Sequence, residues 1–95
     1  MAKLTHADVT RRLAELPGWS LGGEGRSIER DWTLPDFRSA ISFVERVAEL
    51  AEQANHHPDI LVHGWNKVRL ELSTHSDGGL TEADFALAQR LQTLP

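Results

Sequence analysis

The sequence predicts an α+β domain of order αββαββα, a four-stranded antiparallel sheet with its helices packed on one face. Three observations lead there. Apolar residues recur at helical spacing in three stretches and alternate with polar ones in the segments between. Short glycine-containing breaks separate the alternating segments, as hairpins require. Ninety-five residues without a cysteine make one domain, residues 1–95, that must rest on its own hydrophobic core.

Each element has its own warrant. Thr5 is placed to cap the first helix, with Asp8 three residues on. Val9, Leu13 and Leu16 then share a face until Pro17-Gly18 ends the run. Residues 19–21 read as a short strand and Gly22-Gly23-Glu24-Gly25 as a turn. Residues 26–34 form a second strand, with Ile28, Trp32 and Leu34 on one side. Pro35-Asp36 opens the longest helix, which runs to about Asn55. Phe37, Ile41, Val44, Ala48 and Ala51 make one apolar stripe on it; Ala40, Phe43, Val47, Leu50 and Ala54 make an adjacent one. That arc is wider than one helix face needs. One stripe packs on the sheet, and the other faces either a second subunit or the remaining helices. The stripe containing Phe43 is the one expected at an interface, so the chain is expected to be a homodimer or homotetramer.

His56-His57-Pro58 stops the long helix, because the residue before a proline is driven out of helical angles. Ile60 and Val62 mark a third strand, interrupted at Gly64. In the fourth, Val68, Leu70 and Leu72 alternate with Lys67, Arg69, Glu71 and Ser73. Ser76-Asp77-Gly78-Gly79 turns the chain into the last helix. There Thr81 is the cap, Asp84 the third helical residue, and Leu80 is positioned to staple onto Phe85.

Charge and composition exclude several function classes. Ten Lys and Arg against 14 Asp and Glu give a formal charge of −4, so nucleic acid is not an expected partner. No apolar run is long enough to cross a bilayer, and Met1-Ala2-Lys3-Leu4-Thr5-His6 lacks the apolar stretch of a secretion signal. A cytoplasmic setting without membrane contact is expected. Without cysteine there is no disulfide scaffold, no Cys-ligated zinc, no iron–sulfur cluster and no thiol nucleophile.

The chemistry concentrates in histidine. Of five, His56 and His57 follow the long helix and His75 follows the last strand, ends from which scaffolds commonly display functional groups. Histidine is also the side chain suited to both giving and taking a proton near neutrality. The plainer reading of each is a surface or helix-capping residue. A metal centre is the rival for the set, with His57, His63 and His75 as ligands. Adjacent histidines on a helix point about 100° apart, however, and the i, i+4 pair of a helical zinc site is missing. No metal or other cofactor is expected. Ser73 and Ser76 flank His75 without a nucleophile elbow, and the glycines near residue 23 precede a strand, with no phosphate-loop lysine.

Four blocks in register carry a resemblance. Asn55-His56-His57-Pro58-Asp59, Trp65-Asn66-Lys67-Val68, Leu72-Ser73-Thr74-His75 and Gly79-Leu80-Thr81-Glu82-Ala83-Asp84 closely resemble the pterin-4a-carbinolamine dehydratases, from Pro17-Gly18-Trp19 to the final helix. The resemblance implies the αββαββα fold and dehydration of 4a-hydroxytetrahydropterins to the quinonoid dihydropterin without metal or cofactor. It implies catalytic histidines at His56, His57 and His75, an active-site acid at Asp84, a nearby glutamate at Glu52 and a pocket tryptophan at Trp19. The stretch from Asp59 to Trp65 is one residue longer than in some members. Gly64 is therefore expected to mark a bulge, and His63 has no assigned role.

The reaction itself needs a proton delivered to the departing hydroxyl and another removed from ring nitrogen N5. Two imidazoles can do both. His57 is assigned to hold the pterin, and His56 and His75 are the acid–base pair. Asp84 either orients an imidazole or caps its helix, and one carboxylate can do both. Trp19 packs beside the flat ring or in the core, and Glu52 is a solvated helix residue or a supporting partner. The competing class is a non-catalytic module of the same fold, binding pterin or serving protein dimerisation; the resemblance implies the second role because mammalian members double as a dimerisation cofactor for a homeodomain transcription factor.

Overall fold

A computed structural model describes residues 3–94; Met1 and Ala2, which open the segment read for a secretion signal, and Pro95 lie outside them. The elements are α1 (His6–Leu13), β1 (Ser20–Gly22), β2 (Ser27–Thr33), α2 (Phe37–Ala54), β3 (Asp59–His63), β4 (Lys67–Leu72) and α3 (Glu82–Leu91). The order is the expected αββαββα. The strands form one antiparallel sheet in the order β1-β2-β4-β3, so β2 and β4 occupy its middle.

Register explains which residues meet the helices. Ile28 lies opposite Leu72, and Trp32 opposite Val68, all buried together with Leu70. The alternate residues point the other way, where Arg69 pairs with Asp31 across β2 and β4 at 2.8 Å. The helices therefore cover one face only. Arg30 follows the same alternation onto the helix face despite its charge, with its guanidinium 4.6 Å from the Trp32 ring centroid.

Local signals set the helix ends. The Thr5 hydroxyl accepts from the Asp8 N–H at 3.1 Å, and the Asp36 carboxylate accepts from the Ser39 N–H at 2.7 Å. The first helix stops at Leu13, earlier than its apolar spacing predicts. Tighter i→i+3 bonds from Glu15 to Arg12 and from Leu16 to Leu13 follow it, and Leu16 still reaches the core. At the end of α2, Asn55 takes left-handed angles (φ 50°) and the chain leaves the helix just ahead of the histidines.

Two sequence expectations are corrected here. The α2 stripe expected at a subunit interface is the core stripe instead. Ala40, Phe43 and Val47 are fully buried, Leu50 packs on the core at partial exposure, and Ala54 is exposed. The other stripe reaches solvent at its first two residues, Phe37 55% and Ile41 38% exposed, while Val44 packs on the core and Ala51 is buried in it. The width of an apolar arc does not say which edge faces the sheet; Trp32, whose ring lies 5.0 Å from that of Phe43, decides it. Nor does Gly64 mark a bulge. Pairing from Asp59↔Glu71 to His63↔Lys67 is unbroken, and Gly64 and Trp65 form the hairpin turn, with φ of 53° and 57°. Asn66 anchors that turn by exchanging bonds with Leu34 at 2.9 and 2.8 Å.

Candidate functional site

The C-terminus of α2 and the N-terminus of α3 meet at one corner of the fold, and from the last turn of α3 Arg90 also reaches Gln53 of α2 at 2.6 Å. There His56 Nε2 lies 2.6 Å from Asp84 Oδ1. The Asp84 side chain is completely buried and that of His56 is 16% exposed. The second oxygen, Oδ2, accepts the Thr74 hydroxyl at 2.8 Å and the Thr81 N–H at 2.9 Å. Asp84 thus does both of the jobs that sequence left open. One oxygen closes the capping box of α3 and the other receives an imidazole. With Asp84 on Nε2, the bonds among the described residues leave Nδ1 of His56 without a protein partner.

His57 is arranged differently. Its Nε2 lies 2.5 Å from Glu52 Oε2, one helical turn back on α2, but the side chains are 58% and 75% exposed. Glu52 is a solvated helix residue that also bonds His57.

His75 stands in a tight turn between β4 and α3. Thr74 and Gly79 pair across its base, at 3.0 and 3.4 Å, and Gly78 supplies the left-handed step at φ 76°. That pairing holds His75 out at the rim of an open cleft of about 410 Å³, shared with Arg26, Glu71 and Ser73. The volume falls in the range of small-ligand pockets. His56 and His57 do not line this cleft; His75 connects to His56 through its neighbour Thr74 and the Asp84 carboxylate.

The remaining sequence candidates fall elsewhere. Trp19 is 6% exposed and packs edge-on to Trp32, with ring centroids 5.8 Å apart. Trp32 in turn touches Phe43 in the first half of α2, whereas the histidines follow the end of that helix. The structure thus gives Trp19 its core placement. His63 ends β3 at the hairpin turn, about 13 Å along the strand from Asp59 at ~3.3 Å per residue. The His57, His63 and His75 set therefore does not converge, and no group of three His, Cys, Asp or Glu among the described residues is arranged to hold a metal ion.

Thr74 is the site residue that the sequence reading missed. Its hydroxyl reaches both Asp84 and the Thr81 hydroxyl, at 2.8 Å each. Its place directly before His75 was visible, but its bond to a carboxylate ten residues on depends on the turn.

The family model for pterin 4 alpha carbinolamine dehydratase matches residues 2–94. A protein of Thermomicrobium roseum, provisionally named a pterin-4-alpha-carbinolamine dehydratase, is 48% identical over 94 residues, covering 99% of this chain and 98% of its own. One from Chloroflexus aggregans with the same provisional name is 49% identical over the same shares. The solved structure titled transcriptional coactivator/pterin dehydratase from Brucella melitensis superposes with a TM-score of 0.85 at 34% identity, covering 94% of both chains. A pterin dehydratase-like RuBisCO assembly factor of the alpha-carboxysome shares the fold, with a TM-score of 0.66 at 24% identity over 79% of this chain and 86% of its own. On a match that spans nearly every residue, the chain belongs to the pterin 4 alpha carbinolamine dehydratase family.

Proposed function

We propose that this protein is a hydro-lyase that dehydrates 4a-hydroxytetrahydropterins to the quinonoid dihydropterin, recycling a pterin cofactor. The observation that carries the reading is His56, held through Nε2 by a buried and fully bonded carboxylate. Such a pairing orients an imidazole and leaves its other nitrogen to exchange a proton with a bound molecule.

The reaction breaks the C4a–O bond and forms the C4a=N5 double bond. One proton goes to the departing hydroxyl, which leaves as water, and the N5 proton goes to a base. The acid gives one proton and the base gains one, so the pair holds as many protons after the step as before, and loss of water changes no oxidation state. His56 and His75 form the acid–base pair in this reading, each typically worth ~10²–10⁴ in rate. His57, solvent-facing on Glu52, holds the pterin, and Asp84 orients His56.

A second reading, self-association or a non-catalytic binding module of the same fold, draws on the exposed Phe37 and Ile41 of α2. We propose a homodimer or homotetramer built through that stripe. Sedimentation at micromolar concentration should give a species above the 10.6 kDa monomer, and a monomer alone would remove the proposal.

Stopped-flow absorbance following 4a-hydroxytetrahydropterin separates enzyme from module. Loss of the substrate signal faster than its spontaneous decay, in proportion to protein, supports the enzyme. Decay at the spontaneous rate, with pterin still bound, leaves the module.

A further inference from the structure

The geometry points to Thr74 as a positioning residue whose hydroxyl, acting through Asp84, sets which nitrogen of His56 faces the substrate. Thr74 Oγ1 lies 2.8 Å from Asp84 Oδ2 and 2.8 Å from Thr81 Oγ1, and a hydroxyl has a single proton to give. Oδ2 also faces the Thr81 N–H at 2.9 Å, which can only donate. A proton on Oδ2 would collide with that donor, so Oδ2 must accept from both. Thr74 therefore donates to Asp84, and the Thr81 hydroxyl donates to Thr74 while accepting the Ala83 N–H at 3.3 Å.

The chain of bonds thus runs one way, from Thr81 to Thr74 to Asp84. Oδ2 is filled by two donors and Oδ1 faces His56 Nε2, and the proposed arrangement puts the proton between them on Nε2. Nδ1 is then the nitrogen that meets a ligand. Every member of this network is buried or partly buried, where a hydrogen bond is electrostatically stronger and an unmet group more costly than in water.

Thr74 also touches His75, by a different route. Its backbone pairs with Gly79 at the base of the turn that carries that histidine. Changing only the side chain of Thr74 therefore acts on His56 while leaving the backbone support of His75 in place. The role assigned to Thr74 rests on the acid–base reading above, but its hold on the His56 ring is measurable without any turnover.

The test is ¹⁵N NMR of the His56 ring in the wild-type protein and in Thr74→Val and Thr74→Ser, with kcat and KM for the same three. In the neutral wild-type ring the proton should sit on Nε2. Thr74→Val should give mixed tautomers and lower kcat by about ten-fold with KM within about two-fold, and Thr74→Ser should restore both. A wild-type ring protonated on Nδ1 overturns the proposal with no variant needed, which also covers a valine protein that fails to fold. So does Thr74→Val that keeps a pure Nε2–H ring and full kcat. If the tautomer shifts in the valine variant but the wild-type protein shows no dehydration, Thr74 still sets His56 and it is the dehydratase reading that fails.

Discussion

His56 and His57 are consecutive residues, and each bonds a carboxylate through Nε2, at 2.6 and 2.5 Å. Their surroundings differ completely. The His56 pair has exposures of 16% and 0%, and the His57 pair 58% and 75%. In the first, little water competes and Asp84 is held by Thr74 and Thr81 as well, so the imidazole has one place to be. In the second, solvent and salt screen the attraction, and such exposed pairs contribute ~0–1 kcal/mol. Similar distances therefore describe different devices. A buried bond fixes a ring in place, as the proposed proton transfer requires, and an exposed one leaves a ring free to turn.

The contrast between buried and exposed neighbours can be broken most severely along α2. Phe43→Glu should abolish folding, since it puts a carboxylate into the fully buried core, whereas Phe37→Glu should fold and weaken self-association. Circular dichroism and sedimentation of the two variants check this, and a folded Phe43→Glu would contradict the core assignment.

Next in size is Asp84→Ala. It leaves the Thr81 N–H, the Thr74 hydroxyl and His56 without their acceptor, and should cost roughly 3 kcal/mol or more in urea unfolding. Glu52→Ala, at the exposed partner, should stay within ~0.5 kcal/mol. Equal losses would erase the comparison.

His56→Ala and His75→Ala should each lower kcat by about ten-fold to a thousand-fold. Only the first should also destabilise the fold, by roughly 1–3 kcal/mol, because it strands the buried Asp84 Oδ1. His6→Ala and His63→Ala should leave kcat within about two-fold, and a His63→Ala as damaging as His75→Ala would contradict the geometry at the β3–β4 hairpin.

The smallest effect belongs to the acid limb of stability. Hydrogen bonds from the Ser39 backbone hold Asp36 below the usual carboxylate range, and those from Arg69 and Arg12 do the same for Asp31 and Glu82. A carboxylate with a lower pKa folded than unfolded stabilises above its unfolded value, about 4, and that contribution disappears as pH falls through the folded value. All three are exposed to solvent, so the decline below about pH 4 should be shallow in urea titrations and shallower in high salt. Stability that rises on acidification would contradict it.

What was legible in the sequence follows the range of the interaction. Strand alternation and capping are local, so Val68, Leu70 and Leu72 declared β4, and the three-residue step from Thr81 to Asp84 declared the capping box. The partnership of Asp84 with His56 spans 28 residues and exists only because α2 ends and α3 begins at the same corner. From residues alone, Asp84 could therefore be offered two jobs without showing that it does both. The α2 stripes failed for the same reason, since Phe43 is core only by virtue of Trp32 on a distant strand. Trp19 likewise reads as core once Trp32 lies against it.

The measurement closest to the central claim is kcat and KM, taken separately, for His56→Ala and His57→Ala on a 4a-hydroxytetrahydropterin. If the buried ring transfers protons and the exposed ring holds the substrate, His56→Ala lowers kcat at near-constant KM, and His57→Ala raises KM more than it lowers kcat. The same change in both parameters for the two variants, or the reverse assignment, would contradict the account.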